Sequence, residues 1–500
     1  MKKLIIIAAV IVLGVAAWAG ATLYVGNSAR DYYFGNLEKY GRFGPIAIKN
    51  RSYMKSFFDA RAETVLNITV PAGKDEESGE LLTESVQMVF EHRIQHGPFV
   101  SGRGPNGNLS LAPAAALIET RLAGIESTEA KLAALLDTIP ELREAVAIAR
   151  VSYDGETQSL LTVPGFNKQV KETELGWGGL TVAGVYHPVA GTMVGSLDMP
   201  QLTIRGEDGL ITWDGASADF DLVEALPMLY VGTTNVTYRG LEADMPVKDK
   251  PERQAFSMAG IDMTSTSRFD GAMLHYDQGI TFNGLTVDGE TFGPLELEME
   301  AKNLDGQVLS AFQQQMLDFY ASDAFNDPEQ LAAQLLPMYS ELMIGLLPGE
   351  PEMKIRRFHL TTPMGVADGS FNLRVSALPA EAVEQLRQNP LAALQYVQYL
   401  DSALDLVADE TLVRSALSAT MESQVKNQIE QARQANPELE IDESQLAQMV
   451  EQQLNMQLEM LVAQNFIERD GNRLKSHATF SDGELMVNGN PLPLLQGGVQ

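Results

Sequence analysis

Five hundred residues, 45% of them apolar and 20% charged, can bury several hydrophobic cores and are too apolar for a disordered chain. A formal net charge of −30 repels phosphate backbones, so nucleic acid is not an expected partner. The chain has no cysteine, which excludes structural disulfides, thiolate catalysis and Cys-ligated zinc or iron–sulfur sites.

Met1-Lys2-Lys3 opens the chain and is followed by an uncharged, mostly apolar run from Leu4 to Ser28. At about 1.5 Å per residue, a helix over Leu4 to Val25 extends roughly 33 Å, enough to cross a ~30 Å hydrocarbon core. The two lysines keep the N-terminus cytoplasmic and send the rest of the chain across the membrane. Ala17-Trp18-Ala19 offers a cleavage triplet, but the apolar run continues through Ala21, Leu23 and Val25, which favours an uncleaved signal-anchor over residues 1–28. Either form exports the remainder.

Beyond this segment the pattern is of alternating strands and helical blocks. Ala62, Thr64, Leu66, Ile68 and Val70 fall on one strand face, with Arg61, Glu63, Asn67 and Thr69 on the other; a second alternating strand runs from Val86 to Ile94. Residues 110–150 carry apolar side chains three and four apart, at Ala114 to Leu122 and Thr128 to Leu136, which predicts helices with an interruption at Pro140. A β-rich region spans 151–376. It is punctuated by Asp154-Gly155, Asp208-Gly209, Asp214-Gly215, Asp270-Gly271, Asn283-Gly284 and Asp288-Gly289, dipeptides that suit tight hairpins. Its clearest strand sets Leu295, Leu297, Met299 and Ala301 against Glu296, Glu298, Glu300 and Lys302, giving a dry face and a wet face.

A helical insertion is expected over 303–347, broken at Pro328 and Pro337, and a β return over 353–375 turning at Asp368-Gly369. A helical region follows over 377–470. Within it Val413, Leu417, Met421, Val425 and Ile429 step by four, as do Leu446, Val450, Leu454 and Leu458. These predict an antiparallel helix pair over 408–468, interrupted at Asn436-Pro437 and capped at Asp442. The last 30 residues, 471–500, read as a hairpin turning at Asp482-Gly483 and Asn488-Gly489. The expected fold class is α+β: an N-terminal transmembrane helix, residues 29–150 as strands plus helices, then the β-rich, helical and hairpin regions just described.

The candidates for chemistry are few. His92 and His96 stand four apart, but on an alternating strand this separates their rings by about 13 Å, so a shared metal is not expected. Gly102-Arg103-Gly104-Pro105-Asn106-Gly107 matches G-x-G-x-x-G, yet Asn108 to Pro113 intervene before any helix, and the stretch reads as an exposed loop. Glu296, Glu298 and Glu300 form a row on one face, which reads as a solvated surface and not as a catalytic pair facing a substrate. No catalytic, metal or cofactor-binding residue is expected.

Several blocks carry a family resemblance. Ile94-Gln95-His96-Gly97-Pro98-Phe99 is the most specific; the Lys2-Lys3 anchor, Gly293-Pro294-Leu295-Glu296-Leu297 leading to Asn303-Leu304-Asp305, and Ala478-Thr479-Phe480-Ser481-Asp482-Gly483 running to Val487-Asn488-Gly489 accompany it. Together they resemble the YdgA family of bacterial inner-membrane proteins, whose biochemical role is undefined. The departure is at Arg51 to Glu63, where Met54-Lys55-Ser56-Phe57 stands in place of a Gly-containing turn. The resemblance supplies no catalytic residues. Its motif residues are Ile94, His96, Gly97 and Pro98, with Gly97 and Pro98 fixing a strand exit that His96 holds.

The expected place is the bacterial inner membrane, single-pass, with the bulk periplasmic. The leading functional expectation is a tethered, non-enzymatic envelope protein binding a protein partner or an amphiphile, such as a lipid held by a dry sheet face. The alternatives are an envelope hydrolase with an unrecognised site and a homo-oligomeric scaffold assembled through 408–468.

Overall fold

The computed structural model describes residues 27–492, apart from 32, 36, 39–40, 44, 75–80, 98–99, 101, 106, 108, 111–113, 128–134, 208, 247–252, 323–327 and 436–442. Residues 1–26 of the N-terminal anchor, Asn436-Pro437 and the cap at Asp442 therefore lie outside the described residues. The architecture is α+β, with extensive antiparallel sheet and several packed helices. The chain forms two compact units, Met1–Arg253 with Leu309–Tyr339, and Gln254–Val308 with Ser340–Gln500.

The sheet of the first unit is built as a meander. Strands Ile46–Lys55, Asp59–Lys74, Leu81–His96, Ala116–Ser127, Val146–Val151, Thr157–Val163, Leu180–His187, Thr192–Met199, Gly209–Leu226 and Leu229–Pro246 each pair antiparallel with the next. The register sets Ala62 opposite His92 and His92 opposite Thr120, so the dry faces predicted for the first two long strands fall on one side of the sheet. Residues 110–150 depart from expectation. Ala116–Ser127 is a strand, and among the described residues of this stretch only Leu135–Thr138 and the 3-10 turn Pro140–Glu144 are helical. Ala116, Ile118, Thr120 and Leu122 alternate as well as they step by four, and paired strands on both sides decide the matter.

Asp214-Gly215 is not a hairpin turn. It sits inside the strand Gly209–Leu226, where the register slips and the strand changes partner from Leu202–Gly206 to Thr192–Met199. Gly215 has φ +102°, and a Cβ there would lie 2.1 Å from the Pro200 carbonyl oxygen, so only glycine fits this bulge. By contrast, Asp154-Gly155, Asp270-Gly271 and Asp288-Gly289 do lie between paired strands.

The second unit repeats the plan. Ile261–Phe269, Met273–Phe282, Leu295–Asp305, Glu352–Thr362, Gly365–Val375, Leu400–Asp409, Arg473–Ser481, Glu484–Val487 and Asn490–Leu492 are successive antiparallel neighbours. Asp368-Gly369 lies within a strand, and the turn falls at Pro363-Met364. Leu400–Asp409 is a strand inside the stretch expected to be helical, held between Gly365–Val375 and Arg473–Ser481. The helix Pro328–Leu346 carries Pro337 in its interior, so this proline does not end it. Proline removes one backbone donor, and the Leu, Ala, Gln and Met around it restore helical preference on both sides.

The helix pair is Glu410–Ala435 and Glu443–Ala463. Met421, Val425, Ile429, Val450, Leu454, Leu458 and the strand residue Leu474 form its core, flanked by Val413, Leu417 and Leu446. Every residue of the two four-step series is in this cluster. Arg414 ties the pair at the edge, bonding Glu410 at 2.9 Å on its own helix and Asn455 at 2.7 Å on the other.

Candidate functional site

The dry face of the first unit's sheet lines a cavity of about 1120 Å³, at the upper end for ligand-binding clefts. Its walls come from seven strands of the meander: Ile48, Thr64 and Leu66, Phe90, His92 and Ile94, Ala116, Ile118 and Thr120, Val151, Tyr186, and Tyr230. Helical residues 27–31 and 33–35 contribute Ser28, Ala29 and Tyr33. Among the described residues, none lining the cavity is Asp, Glu, Lys or Arg.

Tyr33 fixes this helical segment to the sheet. Its hydroxyl donates to Asn50 Oδ1 at 3.0 Å, and its ring lies 5.2 Å from Tyr53 and 6.3 Å from the His92 ring. Burial, then the neighbouring Tyr53, pushes the Tyr33 hydroxyl up to about 12, so it stays protonated and can donate. Asn27, the first described residue, accepts from Lys55 Nζ at 2.5 Å.

One polar line crosses the apolar floor. His92 Nε2 is 2.7 Å from Thr64 Oγ1, and His92 Nδ1 is 2.8 Å from Thr120 Oγ1. The three residues sit on three adjacent strands. Burial lowers the His92 pKa below its ordinary 6.5, which keeps the ring neutral. A neutral imidazole has one N–H and one bare nitrogen, so it donates to one threonine and accepts from the other.

The motif residues lie beside this cavity. Ile94 lines it; His96 is buried at the strand end, where its backbone N–H donates to the Phe58 carbonyl at 3.0 Å. Gly97 has φ +136°, and its carbonyl accepts from the Tyr153 hydroxyl at 3.1 Å. Pro98 is outside the described residues. His92 and His96 stand four apart on the strand Leu81–His96. The loop 102–107 is a small hairpin, Gly102–Arg103 against Leu109–Ser110, and does not open a helix.

The glutamate row of the second unit faces basic neighbours. Glu296 pairs with Arg357 at 2.7 Å, and Glu300 pairs with Lys302 at 3.0 Å and Arg356 at 3.5 Å. The Lys302 bond holds the Glu300 carboxyl below its ordinary range. The remaining histidines meet carboxylates: His187 with Glu156, His275 with Asp270, His477 with Asp405 and His359 with Asp368. His359 lies 2.7 Å from Asp368 Oδ1 and 3.2 Å from Thr361 Oγ1, a hydroxyl–imidazole–carboxylate line outside both described cavities. The other cavity, about 380 Å³, is polar and lined by Asn167, Glu174, Gln201, Thr203 and Arg205 among others. Among the described residues, no group of three or more His, Asp or Glu could hold a metal ion.

The profile of the DUF945 family, described as bacterial protein of unknown function, matches residues 1–495. The chain belongs to this family. Among curated proteins none matches the sequence. DUF945 membership fulfils the resemblance at its coarser level, that of a bacterial family without a defined biochemical role. The match covers both units, so the cavity, the glutamate row and the helix pair all lie within the DUF945 region. One helical stretch of this DUF945 protein, Leu331–Gly349, is long and apolar enough to cross a membrane, and 17% of it is buried.

Proposed function

We propose that the protein is a membrane-tethered, non-enzymatic binding protein of the bacterial envelope whose first unit holds an amphiphile. The observation that carries this reading is the uncharged lining of a cavity of about 1120 Å³ in a chain where one residue in five is charged. Apolar surface left open to water is costly, at about 25 cal/mol per Å². A large dry cavity is therefore an incentive for an apolar chain to enter.

The position of the cavity supports a lipid source. Ser28 and Ala29 line it, and the uncharged run from Leu4 ends at Ser28. If that run spans the inner membrane, with the N-terminus cytoplasmic, as in the YdgA-like reading, the lining residues Ser28 and Ala29 stand where the chain leaves the bilayer. An acyl chain then has a short path from membrane to cavity.

The test is lipid analysis of the full-length protein extracted in mild detergent, against a control membrane protein with one span. A specific lipid class enriched over the control is expected, and its loss in the cavity-filling variant Ala116→Phe. Equal lipid content in all three proteins would overturn the reading.

A second reading, an envelope hydrolase, rests on the Thr361–His359–Asp368 line. It requires His359→Ala to abolish an esterase or peptidase activity of the purified protein. Activity unchanged by this substitution removes it.

A further inference from the structure

We infer that the cavity selects a neutral lipid bearing a hydroxyl head group, seated on the Thr64–His92–Thr120 line. This rests on the amphiphile reading above and names the class of ligand. Three observations carry it.

The first is the missing counter-charge. Among the described residues the lining offers no cation for a phosphate or carboxylate and no anion for an ammonium group. Moving an unpaired ion into such a space costs several kcal/mol. A charged head group is excluded from the interior, whereas a hydroxyl is not.

The second is the hydrogen-bond arithmetic. Because the ring is neutral, one threonine accepts from His92 and the other donates to it. The accepting threonine still has its own O–H to give. The donating threonine still has a lone pair to share. Whichever tautomer is present, the line offers one donor and one acceptor. Thr64 is largely buried and lines the cavity. Among the described residues neither hydroxyl makes another hydrogen bond. The two hydroxyls flank the imidazole and lie too far apart for one oxygen to bridge, so a ligand hydroxyl seats on either of them, as donor or as acceptor; an ether can only accept, and an alkane does neither.

The third is placement. The line crosses three adjacent strands of the cavity floor, with Leu66, Phe90, Ile94 and Ile118 around it. A polar group seated there is surrounded by apolar walls that an attached chain can follow.

The experiment uses the full-length protein in membranes at pH 8 and three photoreactive 16-carbon probes, each with a diazirine on the chain. One ends in a hydroxyl, one in a carboxylate and one in a methyl group. Labelling of peptides from Asp59–Lys74, Leu81–His96 and Ala116–Ser127 is read by mass spectrometry. The alcohol is expected to label these peptides at least fivefold more than the carboxylate. Thr64→Val with Thr120→Val preserves shape and removes both hydroxyls; it should reduce alcohol labelling at least fivefold and leave the methyl probe unchanged. Equal labelling by all three probes, or alcohol labelling indifferent to the double substitution, overturns the inference while the amphiphile reading stands. If no probe labels the cavity, both fall. If the double variant loses the methyl probe as well, shape and not hydrogen bonding sets the selection, and the inference is overturned.

Discussion

A histidine ring held between two threonine hydroxyls in an uncharged cavity has no counter-charge to meet its protonated form. The titratable group facing it is Tyr33, which stays neutral with its hydroxyl pushed up to about 12. Burial lowers the His92 pKa, so the unfolded chain takes up this proton first as pH falls. Stability from this site is complete above the ordinary 6.5 and declines as pH drops through it toward the folded value. The carboxylates act in a lower window. Glu300, held down by Lys302, and Asp409, held down by the Val366 amide, contribute above their ordinary 4.5 and 3.8 and lose that contribution below. Thermal midpoints of wild type and His92→Gln across pH 7 to 5 should therefore differ in slope, the variant being flatter. Parallel curves would show that the ring does not titrate with folding. Gly97 makes a separate prediction. Its φ of +136° is open to glycine alone, so Gly97→Ala should cost about 1–3 kcal/mol in denaturant unfolding.

At the scale of elements, the helix pair shows what sequence spacing can settle. Leu458 and Val425 are 1% and 0% exposed, at positions where the four-step series placed them. Leu458→Ala should cost about 2–5 kcal/mol, whereas Met456→Ala, at a side chain 66% exposed, should stay within about 0.5 kcal/mol. Denaturant midpoints measure both, and equal effects would displace the core from this seam. Other elements were legible in part. The alternation of residues 62–70 and 86–94 gave strands with the correct dry side. It could not separate strand from helix in Ala116–Ser127, because a short apolar run fits both periods and only neighbouring strands decide. The strand Leu400–Asp409 was hidden for the same reason, lying between two helical stretches. The cavity was not legible, since seven strands and one helical segment assemble it. A faint signal existed: Thr64 stood on a face otherwise made of Ala62, Leu66 and Ile68, and a polar residue on a dry face marks a place that structure must explain. The cap of the helix Gly306–Ala321 is of the same kind. Asp305 Oδ1 accepts from the Gln307 and Val308 amides at 2.8 and 3.1 Å, and Asp305→Ala should cost about 0.5–2 kcal/mol.

For the whole molecule, charge and hydrophobicity are divided in a way that bears on its place. Leu4 to Ser28 and, among the described residues, the cavity lining carry no Asp, Glu, Lys or Arg, while the chain as a whole carries −30. A body so acidic is repelled by anionic head groups, so under the proposed tethering attachment to the bilayer rests on the apolar run and not on surface charge. Under the same proposal Lys2 and Lys3 at its start would orient that run with the short end inside. Full-length fusions test this. Alkaline phosphatase at the C-terminus should be active, green fluorescent protein at the same point should be dark, and raising the salt concentration should not release the protein from membranes. Deleting residues 4–25 should reverse the reporter pattern and make the protein extractable without detergent. A bright fluorescent fusion of the intact chain would place the body in the cytoplasm. The cavity would then face cytoplasmic lipids, and the proposed source of its ligand would change even though the hydrogen-bond logic of Thr64, His92 and Thr120 would not.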